Sequence, residues 1–286
     1  MKSTDFFEVF PDEREKGDSQ LRKCQLVMLR MLKILDFLCV RHEVKYFLVE
    51  GSLRGAILYH GFLPWDDDLD IGMTRDNYEK FVEKVVPELP NDIFFQNDET
   101  DPCYPSCHVI EAKLRDKYSS YKRGNRNNKN TFHDGLQIDI AVYDRSYLPN
   151  KLFIYFANRL LKFFFKRRGN KKRANLLKWI SKYSPFLLVY GNSFISRLKE
   201  INQRTNYIKY KEIKKLKRTK FEDMEAYIPI GWDSYLKRHY GKYKEIPSLE
   251  KQKGHHGKDI PDPFNPCSHS EILYWNSTKL AQKVVH

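Results

Sequence analysis

The densest group of chemically active residues is the segment Pro64-Trp65-Asp66-Asp67-Asp68-Leu69-Asp70, which places four carboxylates in five positions. If the segment is a β-strand, alternate residues share one face, so Asp66, Asp68 and Asp70 point the same way. Asp67 would then point to the other face. Carboxylates that converge in this way repel one another and form an oxygen-rich site suited to Mg²⁺ or Mn²⁺. The alternative is an acidic turn exposed to solvent.

Two further features favour a cation-binding site over an exposed acidic turn. Gly51-Ser52 lies between a predicted strand and a predicted helix start, where free backbone N–H groups and the helix dipole favour a phosphate. Asp139 lies in the apolar segment Gln137-Ile138-Asp139-Ile140, and a carboxylate that faces a core must be paired or bind a metal. The alternatives for Asp139 are a strand end in water and a bond to a basic side chain. A phosphate-binding turn, neighbouring carboxylates and a distant carboxylate are the parts of a nucleotidyltransferase active site.

The hydrophobic pattern predicts the elements that must hold these residues. Helices are predicted over residues 19–42, 53–60, 75–86 and 232–240. Strands are predicted over residues 46–49, 68–73, 93–95, 107–114 and 136–143, with two short ones near 221 and 226–228. The expected fold class is therefore α/β (α+β), with a mixed sheet flanked by helices.

Composition excludes several classes of protein. Of the 286 residues, 41% are hydrophobic, which is enough for a packed core and excludes global disorder. Five scattered Cys do not form a secreted disulfide framework, and no run of about 18 apolar residues predicts a membrane-spanning helix. The acidic N-terminal segment lacks the apolar core of a signal peptide. We therefore expect a cytoplasmic protein.

The positive charge is concentrated in one part of the chain. Residues 145–220 contain 22 Lys and Arg against two acids, whereas the rest has 29 bases and 35 acids. The pattern predicts a catalytic core over residues 1–149, a basic helical insertion over 150–220, and a C-terminal region over 221–286 that packs back on the core. A solvated helical face and a nucleic-acid groove are alternatives for the insertion. Phe and Leu beside Lys and Arg favour an interfacial helix on an anionic membrane surface.

Residues 48–73, LVEGSLRGAILYHGFLPWDDDLDIGM, closely resemble the signature of the LicD family of bacterial phosphocholine transferases, to which fukutin and fukutin-related protein are related. The segment Gln137-Ile138-Asp139-Ile140 is similar to a second, shorter motif of that family. Tyr235 and Tyr240-Gly241 echo its C-terminal part. The resemblance extends over about residues 20–145 and weakly over 219–245.

The resemblance implies a nucleotidyltransferase-like fold and the roles of several residues. Asp68 and Asp70 correspond to the metal-binding pair, with Asp66 beside them. Asp139 corresponds to the third carboxylate, which would complete the metal site or take the proton of the acceptor. These three aspartates, 68, 70 and 139, are the expected catalytic residues and Mg²⁺ or Mn²⁺ ligands.

Substrate contacts are expected at Gly51, Ser52, Arg54, Trp65 and Asp66. The family often has a basic residue where this chain has Leu58. Arg54 lies four positions earlier, hence on the same helical face, and is predicted to supply that cation to the donor phosphate. If the donor carries choline, its quaternary ammonium needs aromatic side chains, of which Trp65 is one candidate.

The activity implied is transfer of a phospho-alcohol, phosphocholine from CDP-choline above all, to a sugar hydroxyl of a surface-glycan precursor, with release of CMP. The acceptor is expected to be lipid-linked and the protein to lie at the inner face of the cell membrane, without a nucleic-acid partner. CDP-ribitol, CDP-glycerol and CDP-ethanolamine are alternative donors. A nucleotidyltransferase that binds RNA through the basic segment is the alternative from another class.

Overall fold

A computed structural model describes most of the chain outside the basic segment. It covers residues 3–101, 104, 110–122, 132–147, 188–192, 207–252 and 260–267. Among these residues, no helix is both long enough and apolar enough to cross a lipid bilayer. Most of the predicted basic helical insertion over residues 150–220 lies outside them.

A long buried helix organises the core. After α1 (Ser3–Val9), helix α2 runs from Gln20 to Arg41, within one residue of its predicted bounds at both ends. Ser19 caps it, because its side-chain oxygen accepts a hydrogen bond from the backbone N–H of Arg22. The predicted apolar face is buried, including Cys24, Met28, Leu32, Leu35 and Cys39. This helix packs on the central sheet.

The central sheet is mixed, as predicted. Its strands in chain order are β1 (Phe47–Leu48), β2 (Leu69–Thr74), β3 (Ile93–Gln96), β4 (Ala112–Asp116) and β6 (Gln137–Tyr147); β5 (Ser120–Lys122) lies outside it. They are arranged in the order β1-β2-β6-β4-β3. The pair β2–β6 is parallel and the other pairs are antiparallel. The predicted mixed α/β fold is confirmed.

Two helical segments surround β2 in the sequence. Helix α3 (Glu50–Leu58) precedes it, and α4 (Arg75–Lys80) follows directly. The helical run after β2 continues as a π-helical turn over Phe81–Val85 and a 3₁₀ turn over Val86–Glu88 that contains Pro87. The predicted helix over 75–86 therefore changes its hydrogen-bonding pattern along its length and ends beside the proline.

The described part of the basic segment differs from the helical prediction. Strand β7 (Leu188–Asn192) pairs with the far end of β6, and β8 (Tyr207–Lys209) pairs with β7. The reason is that β6 continues to Tyr147 and offers an unpaired backbone edge, which the apolar run around Val189 can join. Residues 151–187 and 193–206 lie outside the described residues, and the three domain boundaries stay a prediction.

The C-terminal region contains a hairpin and a helix. After α5 (Tyr210–Ile213), strands β9 (Leu216–Phe221) and β10 (Met224–Pro229) form the hairpin, and α6 follows over the predicted range, Trp232–Tyr240. Strand β11 (Ile260–Asp262) pairs with β5. The rings of Tyr46 and Tyr227 meet edge to face with centroids 5.7 Å apart, so the hairpin packs against the region of β1.

A buried ion pair joins α5 to α6. Arg238 donates to both carboxylate oxygens of Glu212, at 2.8 and 2.6 Å. The hydroxyl of Ser234 and the backbone N–H of Lys209 also donate to this carboxylate, both at 2.8 Å. Burial alone would raise the pKa of Glu212, but these hydrogen bonds hold the pKa below its usual value of 4.5. The pair therefore stabilises the fold above that pH.

We expect Arg238→Met to lower the free energy of unfolding by about 3 kcal/mol, because it leaves the buried Glu212 carboxylate without its cation. Lys237→Ala is the control, since Lys237 forms an exposed pair with Asp233 and its loss should change the free energy of unfolding little. Urea unfolding at pH 7 measures both. The deficit of Arg238→Met should shrink as the pH falls below about 4.5 and Glu212 becomes protonated. Equal urea midpoints for the two variants would contradict this account.

Candidate active site

The three consecutive aspartates lie in the loop before β2. A carboxylate oxygen from each of Asp66, Asp67 and Asp68 lies within 4.8 Å of the others. Strand β2 begins only at Leu69, so the alternation predicted for a strand is wrong at these positions, and Asp67 joins the group. The turn at Pro64 and Trp65 bends the backbone ahead of the strand, which removes the period of two.

Neighbouring side chains fix this loop from two directions. The Tyr121 hydroxyl donates to Oδ2 of Asp67 at 2.7 Å, and burial followed by this carboxylate raises the pKa of Tyr121. Gln25 of α2 donates to the backbone carbonyls of Leu63 and Asp66, at 3.2 and 3.0 Å. The carboxylates are therefore held close together by the fold around them.

Asp70 and Asp139 lie side by side. They are register partners in the parallel pair β2–β6, so their side chains are on the same face of the sheet. Burial, and then the charges of Asp68, Asp139, Glu50 and Asp66, raise the pKa of Asp70 well above its usual value. The structure therefore brings the distant carboxylate to the aspartate cluster.

A lysine missed in the sequence contacts this pair. Lys113 is the register partner of Asp139 on β4, and its Nζ lies 2.5 Å from Oδ1 of Asp139. Both side chains are almost completely buried. The bond to a basic side chain, one of the interpretations that the sequence left open for Asp139, is present. The lysine could not be chosen from the sequence, because only the pairing of β4 with β6 brings it here.

The start of α3 lies against the same carboxylates. A Cβ atom on Gly51 would lie 2.5 Å from Oδ2 of Asp66, so only glycine leaves room for that oxygen. The buried hydroxyl of Ser52 accepts a hydrogen bond from the backbone N–H of Asp70 at 2.8 Å. Glu50 has a φ of 49°, in the left-handed region that non-glycine residues rarely adopt. Gly51-Ser52, the predicted phosphate-binding turn, therefore lies next to the aspartates.

Arg54 and Trp65 have contacts that the sequence did not indicate. Arg54 donates to the backbone carbonyls of Tyr243 and Glu245, both at 2.8 Å. The half-buried Trp65 meets the ring of Tyr59 edge to face, with centroids 6.0 Å apart. The predicted contacts of both residues with substrate stay predictions.

An aromatic cluster on α6, formed by Tyr235, His239 and Tyr240, adjoins the start of α3. The His239 ring stacks on Tyr235 with centroids 5.7 Å apart and meets Tyr240 at 4.4 Å. Nε2 of His239 lies 3.4 Å from Oε2 of Glu50. Burial, and then the charges of Glu50, Asp70 and Asp66, raise the pKa of Tyr240 well above its usual value. The sequence indicates no role for Tyr235 and Tyr240 beyond their similarity to the family's C-terminal part.

Comparison with known proteins confirms the predicted resemblance to the LicD family. Residues 43–98 match the family model described as LicD/FKTN/FKRP, nucleotidyltransferase domain. The chain is 28% identical over 271 residues to the lipopolysaccharide cholinephosphotransferase LicD of Haemophilus influenzae, covering 82% of this chain and 96% of that protein. It is also 31% identical over 78 residues to an uncharacterized protein of Rickettsia prowazekii, covering 27% of this chain and 29% of that protein.

Two glycines of α3 provide a test of this geometry. Gly51→Ala should move the Asp66 carboxylate and weaken Mn²⁺ binding at least about tenfold, while helix propensity worth about 1 kcal/mol offsets the local strain. In Gly55→Ala the new Cβ meets backbone atoms of Gly61 and Leu63, which cannot give way as a side chain can. We expect that variant to lose about 2 kcal/mol of stability.

Isothermal titration with Mn²⁺ and urea unfolding measure the two effects separately. Unchanged Mn²⁺ affinity in a folded Gly51→Ala protein would show that Asp66 has no part in cation binding.

Proposed function

We propose that this chain, which contains a LicD-type domain in residues 43–98, is a metal-dependent transferase of a phospho-alcohol. It would move phosphocholine from CDP-choline to a sugar hydroxyl of a surface-glycan precursor and release CMP. The observation that carries the proposal is the placement of Asp70 and Asp139 as register partners beside the aspartate cluster. The similarity to a lipopolysaccharide cholinephosphotransferase supports choline as the alcohol and a lipopolysaccharide-type acceptor.

The donor set suits a hard divalent cation. Asp68, Asp70 and Asp139 are the proposed ligands of Mg²⁺ or Mn²⁺, with Asp66 and Asp67 adjoining them. Burial and then the charges of neighbouring acids raise the pKa of Asp70, and a divalent cation would favour the ionised carboxylates. A bound Mg²⁺ would neutralise negative charge on the donor diphosphate.

The chain's own groups would position the reactants. The backbone N–H groups at the start of α3 could donate to the diphosphate. A carboxylate oxygen of Asp139 could accept the proton of the sugar hydroxyl. The sugar oxygen would at the same time form a bond to the phosphorus that bears choline. The bond from this phosphorus to CMP would break, and CMP would leave with the bridging oxygen. Lys113 would hold Asp139 in place.

We expect Asp68→Asn or Asp70→Asn to reduce CMP release from CDP-choline to less than about a hundredth of the parent rate, because charge neutralisation dominates such transfers. Thermal unfolding should show that both variants fold. Asp76→Asn is the matched control, since this exposed aspartate lies in the first turn of α4, outside the site. A variant at position 68 or 70 that kept more activity than this limit would refute the assigned role.

The same assay separates the alternative functions. Release of CMP from CDP-ribitol, CDP-glycerol or CDP-ethanolamine, but not from CDP-choline, would show that the protein transfers a different phospho-alcohol by the same chemistry. Release of pyrophosphate from a nucleoside triphosphate in the presence of RNA would instead identify a nucleotidyltransferase that uses the same carboxylates.

We also propose that the basic residues of 145–220 hold the protein on an anionic membrane surface, where a lipid-linked acceptor would be available. Each Lys or Arg near such a surface contributes on the order of 1 kcal/mol. The full chain should therefore sediment with vesicles that contain phosphatidylglycerol at low salt, and much less with pure phosphatidylcholine vesicles or at high salt. Equal sedimentation with the two kinds of vesicle would contradict the proposal.

A further inference from the structure

The aromatic cluster on α6 faces a carboxylate that is separate from the aspartates. Glu50 is the first residue of α3, and its Oε2 lies 3.4 Å from Nε2 of His239. His239 lies between Tyr235 and Tyr240 in the sequence of α6. The next residue after Glu50, Gly51, lies against the Asp66 carboxylate, and the charge of Glu50, after burial, raises the pKa of both tyrosines and of Asp70. A negative charge and aromatic rings therefore adjoin the proposed reaction centre without belonging to the aspartate loop.

The backbone at Glu50 is strained in a way that favours a role for its side chain. A glutamate at a φ of 49° is costly, and such conformations persist where the surroundings fix them, often at binding sites. A glycine would adopt this backbone without strain but would have no carboxylate. Glu50 is also only partly buried, so a ligand can reach its carboxylate.

Arg54 holds the Tyr240 ring from one side. Its guanidinium lies 5.5 Å from the ring centroid and is fixed by the carbonyls of Tyr243 and Glu245. The ring is half-buried and meets His239 at 4.4 Å. Arg54 is therefore a positioning residue for Tyr240.

This combination of groups matches one class of alcohol. A quaternary ammonium donates no strong hydrogen bond and is recognised by aromatic faces and a nearby negative charge. A polyol such as glycerol or ribitol instead needs several hydrogen-bond partners. We propose that Glu50, His239 and Tyr240 form the subsite for the alcohol of the donor and make it selective for a quaternary ammonium; this inference rests on the proposed function and specifies its substrate.

The test is isothermal titration of the full chain with CDP-choline, CDP-ethanolamine, CDP-glycerol and CDP, with Mg²⁺ and without acceptor. The parent protein should bind CDP-choline about tenfold more tightly than CDP-glycerol. Tyr240→Leu and Glu50→Gln should each lower the affinity for CDP-choline about five- to tenfold and change the affinities for CDP and CDP-glycerol less than about twofold. Tyr240→Phe should keep the preference, because the ring remains.

Tyr118→Leu makes the same substitution at an exposed tyrosine, 54% accessible, and should leave all four affinities unchanged. Glu50→Gln removes the charge with little change in shape, so it provides the answer if Tyr240→Leu does not fold. If folded Glu50→Gln keeps the parent ratio of CDP-choline affinity to CDP-glycerol affinity, the subsite is overturned. Release of CMP from CDP-choline by the parent protein would still leave the proposed function intact. Absence of binding and of CMP release for every CDP-alcohol would overturn both.

Discussion

The repulsion among carboxylates gathered at one end of β2 is the constraint on which the site depends. Asp66, Asp67 and Asp68 lie together, and burial followed by the charges of neighbouring acids raises the pKa of Asp70. Among the described residues, the Tyr121 hydroxyl donates to Asp67 and Lys113 pairs with Asp139, and both contacts offset part of this cost. A divalent cation would lower this repulsion further, which gives a physical reason for the proposed cation site.

The elements around the site are held in place against this repulsion by ion pairs of their own. Asp36 accepts a bidentate pair of bonds from Arg218 and another from the Tyr46 hydroxyl, which joins α2 to β9 and to the residue before β1. Arg30 of α2 pairs with Asp92 just before β3. Separating such a pair leaves a charge without its partner inside the protein, which is costly. The pairs therefore favour one arrangement of α2, the hairpin and the sheet.

Local patterns allowed part of this structure to be predicted. The periodicity of 20–41, the short apolar strands and the alternation around Asp139 predicted the core elements, because each pattern is formed by neighbours in the sequence. The loop at 66–68, the strands β7 and β8, and the lysine beside Asp139 could not be predicted in this way. Loop geometry depends on tertiary contacts such as those of Gln25 and Tyr121, and strand partners are chosen by distant segments.

The proposed site is assembled from three separate parts of the chain, so the proposal assigns chemistry and specificity to different segments. The acidic loop and the start of α3 lie within the matched residues 43–98, while Lys113 and Asp139 follow from the sheet and Tyr240 comes from α6. Arg54 links the first part to the last by binding carbonyls beyond α6. Substitutions on α6 could therefore change the alcohol that is accepted while the carboxylates keep the same geometry for phosphoryl transfer.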